Sequence, residues 1–144
     1  MFNETALYAP VKAWLEARGF AVKGEISGCD VVAMRPDEPP LLVIGELKAS
    51  FTLELLLQAA DRLALLDPAA GEAILLAVRA SRRGRDRDRR VHRLCRMLGV
   101  GLLAVTSRGA VECLVEPAPW HPRPNARRRT RMLACLGSGA AFRT

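Results

Sequence analysis

Aromatic residues are scarce in this chain, at 5% of 144 residues, and there are two histidines. Of the aromatics Trp120 falls nearest the arginine-rich stretch, and there is little sign of a platform for stacking nucleic-acid bases. His92 and His121 sit in unlike settings, His92 on an arginine-rich helix and His121 among prolines. Their spacing supports no Ser-His-Asp device, and no glycine loop of phosphate-cradling type is visible. The four cysteines, Cys29, Cys95, Cys113 and Cys135, are scattered, with no CxxC and no histidine at zinc-ligand spacing. That excludes an obvious zinc site or disulfide framework and leaves each as a small buried hydrophobe. No run approaches the roughly 18 apolar residues of a membrane span. The first residues, MFNETALYAPVK, lack a basic region followed by an apolar signal core, so the expected compartment is the cytoplasm, without membrane contact.

What is present suits one folded domain. The length allows one core but not two ordinary ones, and 50% hydrophobic residues can offset the ordering entropy of the chain. The net charge of +7 conceals an asymmetry: residues 1–78 carry 6 Lys/Arg against 11 Asp/Glu, and residues 79–144 carry 16 against 4. A polyanion would be drawn to the second part.

The hydrophobic periods give an order of elements. Leu7, Val11, Trp14 and Leu15 share one face of a helix that ends near Arg18-Gly19, with a regular start expected only near Pro10. FAVKGEI and CDVVAM read as two strands joined by a Ser-Gly turn, and RPDEPP breaks the chain after them. LLVIGELK is a third strand of doubly covered type. FTLELLLQAADRLALL predicts a helix with a stripe of Leu53, Leu56, Leu57, Ala60, Leu63 and Ala64. AILLAVRA is a fourth strand. After SRRGRDRDRR comes a helix burying Val91, Leu94, Cys95 and Leu98, and GLLAVTS with AVECLVEP forms a final strand pair. The expected fold is α/β: a mixed sheet covered by helices, with residues 1–117 as the domain. Residues 118–144 form a basic, Pro/Arg-rich extension ending in a short helix around Arg131 to Leu136.

One stretch carries the chemistry. In LLVIGELKAS an apolar strand finishes with Glu46 and Lys48, which alternation places on the same face. Alone, E-x-K is an ordinary Glu–Lys contact at a wet strand end. Asp30 changes the weighing, because it opens the preceding strand and pairing through the RPDEPP loop would set it beside Glu46. Two carboxylates suit magnesium, which retains water and accepts a phosphate oxygen. A nearby ammonium can orient that water, giving a hydrolytic site for phosphodiesters.

Asp30, followed on the next strand by Glu46-Leu47-Lys48 and then a helix, resembles the PD-(D/E)XK nuclease superfamily, although Cys29 stands where the family label has proline. More narrowly, VKGEISGCDVVAM, LLVIGELKASFTLELLLQAADR and ASRRGRDRDRRVHRLCRMLG resemble an uncharacterised bacterial family described as PD-(D/E)XK phosphodiesterases. The resemblance covers most of residues 4 to 120. It implies a restriction-endonuclease-like α-β-β-β-α-β core, with an additional helix and a C-terminal strand pair. It implies magnesium or manganese on Asp30 and Glu46, with the Leu47 carbonyl as a further ligand, and Lys48 positioning or activating water. Glu25, and after it Glu4, stand where related nucleases supply another carboxylate, though each also reads as an ordinary solvated side chain. Gln58, in a polar row with Glu54 and Arg62, takes the place of a helix glutamine that orients water or phosphate.

Arg82, Arg83, Arg85, Arg87, Arg89 and Arg90 crowd a helix start with only Asp86 and Asp88 as local partners, and His92 lies on the same helix as a surface or phosphate-contacting residue. Arg127, Arg128, Arg129 and Arg131 offer a second clamp. Such density suits contact with a nucleic-acid backbone, DNA more than RNA, without reading of base sequence. Three functions remain: a metal-dependent nuclease, a nucleic-acid-binding module of the same fold that cuts poorly or not at all, and a structural protein whose GELK pair is an ordinary ion pair. A homodimer would let two such sites act on two strands.

Overall fold

A computed structural model describes residues 4–26, 28–119 and 123–137, so Trp120 and His121 lie outside the described residues. Four α-helices and six strands follow in the order α1 (Thr5–Glu16), β1 (Ala21–Ile26), β2 (Cys29–Arg35), β3 (Leu41–Lys48), α2 (Leu53–Leu63), β4 (Ala73–Arg79), α3 (Arg89–Leu98), β5 (Gly101–Val105), β6 (Val111–Val115) and α4 (Ala126–Cys135). The six strands form one mixed sheet in sequence order. The pairs β1–β2, β2–β3 and β5–β6 are antiparallel, while β3–β4 and β4–β5 are parallel. Antiparallel neighbours need only a turn, whereas each parallel pair needs a crossover, and α2 and α3 are those two crossovers. The chain is α/β, with a six-stranded sheet flanked by helices.

Crossovers of one hand place α2 and α3 on the same face of the sheet. There Leu55, Ala59 and Cys95 pack on Ile44, Ile74, Leu76, Val78 and Leu102. The other face is covered by α1, whose Leu7, Val11 and Leu15 meet Val31, Ala33, Val43, Leu75 and Leu103. Strand β4, covered from both sides, is buried from Ile74 to Val78, which explains its unbroken apolar sequence. No helix among the described residues is long and apolar enough to cross a membrane.

Three expectations are corrected. First, α1 begins at Thr5 and runs through Pro10. The missing hydrogen bond and ring clash cost about 3 kcal/mol. Full burial of Leu7, Val11 and Leu15, at roughly 1.5–3 kcal/mol each, outweighs that cost. Second, the face that α2 buries is rotated from the expected stripe. Leu55 and Ala59 are buried and Leu56 and Leu63 partly so, while Leu53 and Leu57 are 65% and 50% exposed. Leu94 of α3 likewise stands 37% exposed beside a buried Cys95. Third, the C-terminal helix runs Ala126–Cys135 rather than from Arg131, because the Asn125 side chain accepts the Arg128 N–H and caps it earlier. Every residue of α4 is exposed.

The rotation of α2 is directly measurable. Leu55→Ala is expected to lower the unfolding free energy by about 2–5 kcal/mol in urea titration, and Leu57→Ala to change it by no more than about 0.5 kcal/mol. Equal losses would place the helix on the other stripe.

Candidate functional site

The antiparallel register of β2 and β3 pairs Val31 with Gly45 and Val32 with Ile44. Continued by one residue, it sets Asp30 across from Glu46. The register of β1 and β2, with Gly24 on Val31 and Ile26 on Cys29, sets Glu25 across from Asp30 in the same way. Strand β3 then runs to Lys48, beside Val78 of β4. The carboxylates are thus brought to one end of the sheet by strand pairing alone.

Glu46 is 2% exposed, one of two buried charged residues among those described. Its Oε1 accepts Nε–H of Arg62 at 2.9 Å, and Nη2 of Arg62 also donates to the Gly28 carbonyl at 2.9 Å. Arg62 therefore ties α2 to β3 and to the β1–β2 turn. Oδ2 of Asp30 accepts the Leu47 backbone N–H at 2.8 Å, which fixes that carboxylate against the end of β3. Burial pushes the Glu46 carboxyl above its ordinary value; the Arg62 hydrogen bond opposes this, and the neighbouring Asp30 charge adds to it. The hydrogen bond to Glu46 in turn raises the already high pKa of Arg62. Beside them Cys29 is buried, and desolvation raises its pKa, so the thiol stays protonated.

On the α1 side, Glu4, Thr5, Tyr8, Gly24, Glu25, Asp30 and Leu47 line a cavity of about 500 Å³. Both carboxylates named as additional candidates, Glu25 and Glu4, are in its wall, and Asp30 joins it to Glu46. Glu25 adopts φ 52°, left-handed backbone that a side chain rarely takes, at the point where its strand meets Asp30. Gly24 lets α1 approach: a Cβ there would lie 3.2 Å from the Tyr8 ring. Lys48 sits at the rim, with Nζ 4.0 Å from Oε1 of Glu4. Both side chains are partly exposed, so that pair contributes little to stability.

The expected partners are thus rearranged. Glu46 pairs with Arg62 rather than with Lys48, because a buried carboxylate requires a nearby donor and Lys48 stands two residues further out, at the end of the strand. Gln58 is partly buried on α2, but its side chain makes no hydrogen bond among the described residues; one turn later it is Arg62 that reaches the site. The signal for Arg62 was available, since it is the sole cation in the 53–63 segment. His92 is half-buried, and its Nε2 is 2.5 Å from the Asp86 carbonyl, so it holds a loop. Arg82, Arg83, Arg85 and Arg89 are exposed near the C-terminal end of β4, and Arg127, Arg128 and Arg129 are exposed on α4, which no hydrogen bond or ion pair ties to the sheet among the described residues.

Among the described residues, no three His, Cys, Asp or Glu side chains are gathered as a metal cage. Asp30 and Glu46 supply two hard oxygen donors. That suits magnesium, which keeps several waters and takes one or two carboxylates, and does not suit a cation needing a full set of protein ligands. No known protein family, no curated protein and no solved structure matches the chain.

The raised Glu46 pKa fixes the sign of a stability test. Below the ordinary value of 4.5 the carboxyl is protonated in both the folded and unfolded states. As pH rises from there through the folded value, the native state must either hold a proton that the unfolded chain releases or carry a buried charge, so stability is lost. Glu46→Gln keeps an acceptor for Arg62 and removes the titration. Its melting temperature relative to the native chain, measured in EDTA, is expected to climb between pH 4 and pH 7. A relative fall would mean that Arg62 outweighs burial.

Proposed function

We propose that the chain is a divalent-metal-dependent nuclease of the PD-(D/E)XK type, hydrolysing phosphodiester bonds in nucleic acid, DNA rather than RNA. The observation that carries the reading is the β2–β3 register, which sets Asp30 against a buried Glu46 with Lys48 two residues on. The succession α1-β1-β2-β3-α2-β4 also suits the restriction-endonuclease-like core expected from the motif.

Asp30 and Glu46 would hold magnesium or manganese. One oxygen of each is engaged, Oδ2 by the Leu47 amide and Oε1 by Arg62, which fixes the orientation of both carboxylates. The bound ion supplies charge neutralisation at the phosphate and a more acidic water. Lys48, at the open end of β3, would donate to the attacking water or to a non-bridging phosphate oxygen, where negative charge grows in the transition state. Arg62 keeps Glu46 oriented from the α2 side. Glu25 and Glu4, in the cavity wall beyond Asp30, would supply the further carboxylate that the motif leads one to expect.

One observation favours the binding module instead: Arg62 already neutralises Glu46. A single panel separates the two. Labelled single-stranded, duplex and branched DNA and RNA are incubated with magnesium or manganese and the native chain, Asp30→Asn or Lys48→Ala. Cleavage by the native chain is expected, with a loss of about 10²–10³-fold in Lys48→Ala and at least as much in Asp30→Asn. Binding by all three with no cutting assigns the binding module.

A further inference from the structure

The second buried carboxylate, Asp86, lies in the middle of the arginine run and is 4% exposed. It faces inward. Its Oδ2 accepts the Ser81 N–H at 3.0 Å, its Oδ1 accepts the Ser81 hydroxyl, and Ser81 Oγ accepts the Gly84 N–H at 2.8 Å. The turn closes so tightly that a Cβ on Gly84 would lie 2.5 Å from Ser81 Oγ. Arg87 fastens the loop from outside: Nε donates to the Ser81 carbonyl at 2.9 Å, and its other nitrogens reach both oxygens of Glu112 on β6 at 3.1 and 3.3 Å. His92 holds the Asp86 carbonyl from α3. Of the arginines in this run, Arg87 is therefore committed to structure.

The remaining arginines face outward. Arg82, Arg83, Arg85, Arg89, Arg93 and Arg96 are all exposed and enter no ion pair among the described residues. The last three recur at spacings of four and three on α3, opposite the face that packs Val91, Cys95 and Leu98 on the sheet. They rise about 6 Å and then about 4.5 Å along the helix axis. The loop leaves the sheet beside the candidate site, since Arg79 at the end of β4 donates its N–H to the Ala49 carbonyl, one residue after Lys48.

We propose that loop 81–88 and the outer face of α3 form a preorganised clip for the sugar-phosphate backbone of a nucleic acid, with Asp86 as its positioning residue. The partner rests on the nucleic-acid reading above, but not on cleavage. Arginine forks grip phosphate oxygens in pairs, and the Asp86 staple orders the loop before the ligand arrives, so less freedom is lost on binding. A membrane surface fits less well, because SRRGRDRD offers no apolar side chain to insert.

The test is the salt dependence of binding to a labelled DNA duplex, by fluorescence anisotropy in EDTA. Each phosphate contact contributes about 0.9 to the slope of log K against log salt. Arg82/Arg83/Arg85→Ala and Arg89/Arg93/Arg96→Ala are each expected to flatten that slope by about 2–3. Asp86→Ala keeps every arginine and removes a negative charge, so simple attraction predicts tighter binding. The clip predicts about tenfold weaker binding with the slope retained. Circular dichroism checks the fold, and if Asp86→Ala unfolds, Ser81→Ala, which leaves the charge in place, is read instead with the same expected direction. Native slopes in both triple variants, undiminished affinity in the staple variant, or binding to phosphatidylserine vesicles but not to DNA or RNA would each overturn the proposal. Salt-dependent binding lost in the triple variants, with no cleavage by the native chain, would leave the clip standing and remove the nuclease.

Discussion

A carboxylate held at 2% exposure at the end of a central strand constrains much of what surrounds it. Charge cannot be withdrawn from water without a partner, and the partner must come from an element that already packs there. For Glu46 that element is α2, which leaves β3 and returns across its face. Arg62 must therefore lie toward the sheet, and the residues one and two turns before it on that side, Ala59 and Leu55, must lie there with it. The rotation of α2, and the exposure of Leu53 and Leu57, fit this requirement. An electrostatic need at one residue is met at the expense of the more apolar stripe of a helix.

The sheet topology decides where chemistry can collect. Parallel β3, β4 and β5 all end at one edge, and antiparallel β2 begins there, so that edge gathers strand ends and loops. Asp30, Glu46 and Lys48 occupy one part of it, and the arginine loop after β4 occupies the next. Neighbouring strands are about 4.8 Å apart, so an acidic site able to attract a cation and a basic surface able to attract a polyanion lie side by side. The charge asymmetry along the sequence becomes an asymmetry across one rim.

The order of the elements was legible because each apolar run had an unambiguous period and a clear break after it, with Gly19, RPDEPP and Asp67-Pro68 as examples. The opposition of Asp30 and Glu46 was legible too, since a tight β2–β3 connection leaves few registers and alternation does the rest. The face of α2 was not. FTLELLLQAADRLALL is rich enough in leucine and alanine to show two overlapping stripes, and hydrophobicity alone chose the one that Arg62 overrules. Gln58 was singled out through the resemblance, which implies a helix glutamine; the polar row it shares with Arg62 reveals a side of the helix but not which member reaches across to another element. The inward turn of Asp86 was hidden because an acid among arginines reads as a local counter-charge. The short spacing from Ser81, with a glycine between them, was the available sign of a closed turn.

The two buried carboxylates differ in a way that separates structure from chemistry. Asp86 receives two donors from Ser81 and has the Arg87 guanidinium 3.4 Å away. These donors lie within a few residues of it, so the charge is compensated by the loop that it shapes. Glu46 has one guanidinium drawn from a distant helix and a like charge beside it; burial raises its pKa against the Arg62 hydrogen bond, and the Asp30 charge adds to the rise. A carboxylate compensated by its own loop has little to gain from a ligand. One crowded by a second carboxylate gains from any cation, whether a proton or a divalent ion, that relieves the repulsion, and the benefit grows as water is excluded. On that physical ground the proposed ion is assigned to the end of β3 rather than to the loop after β4, and the loop to the proposed contact with a polyanion beside it.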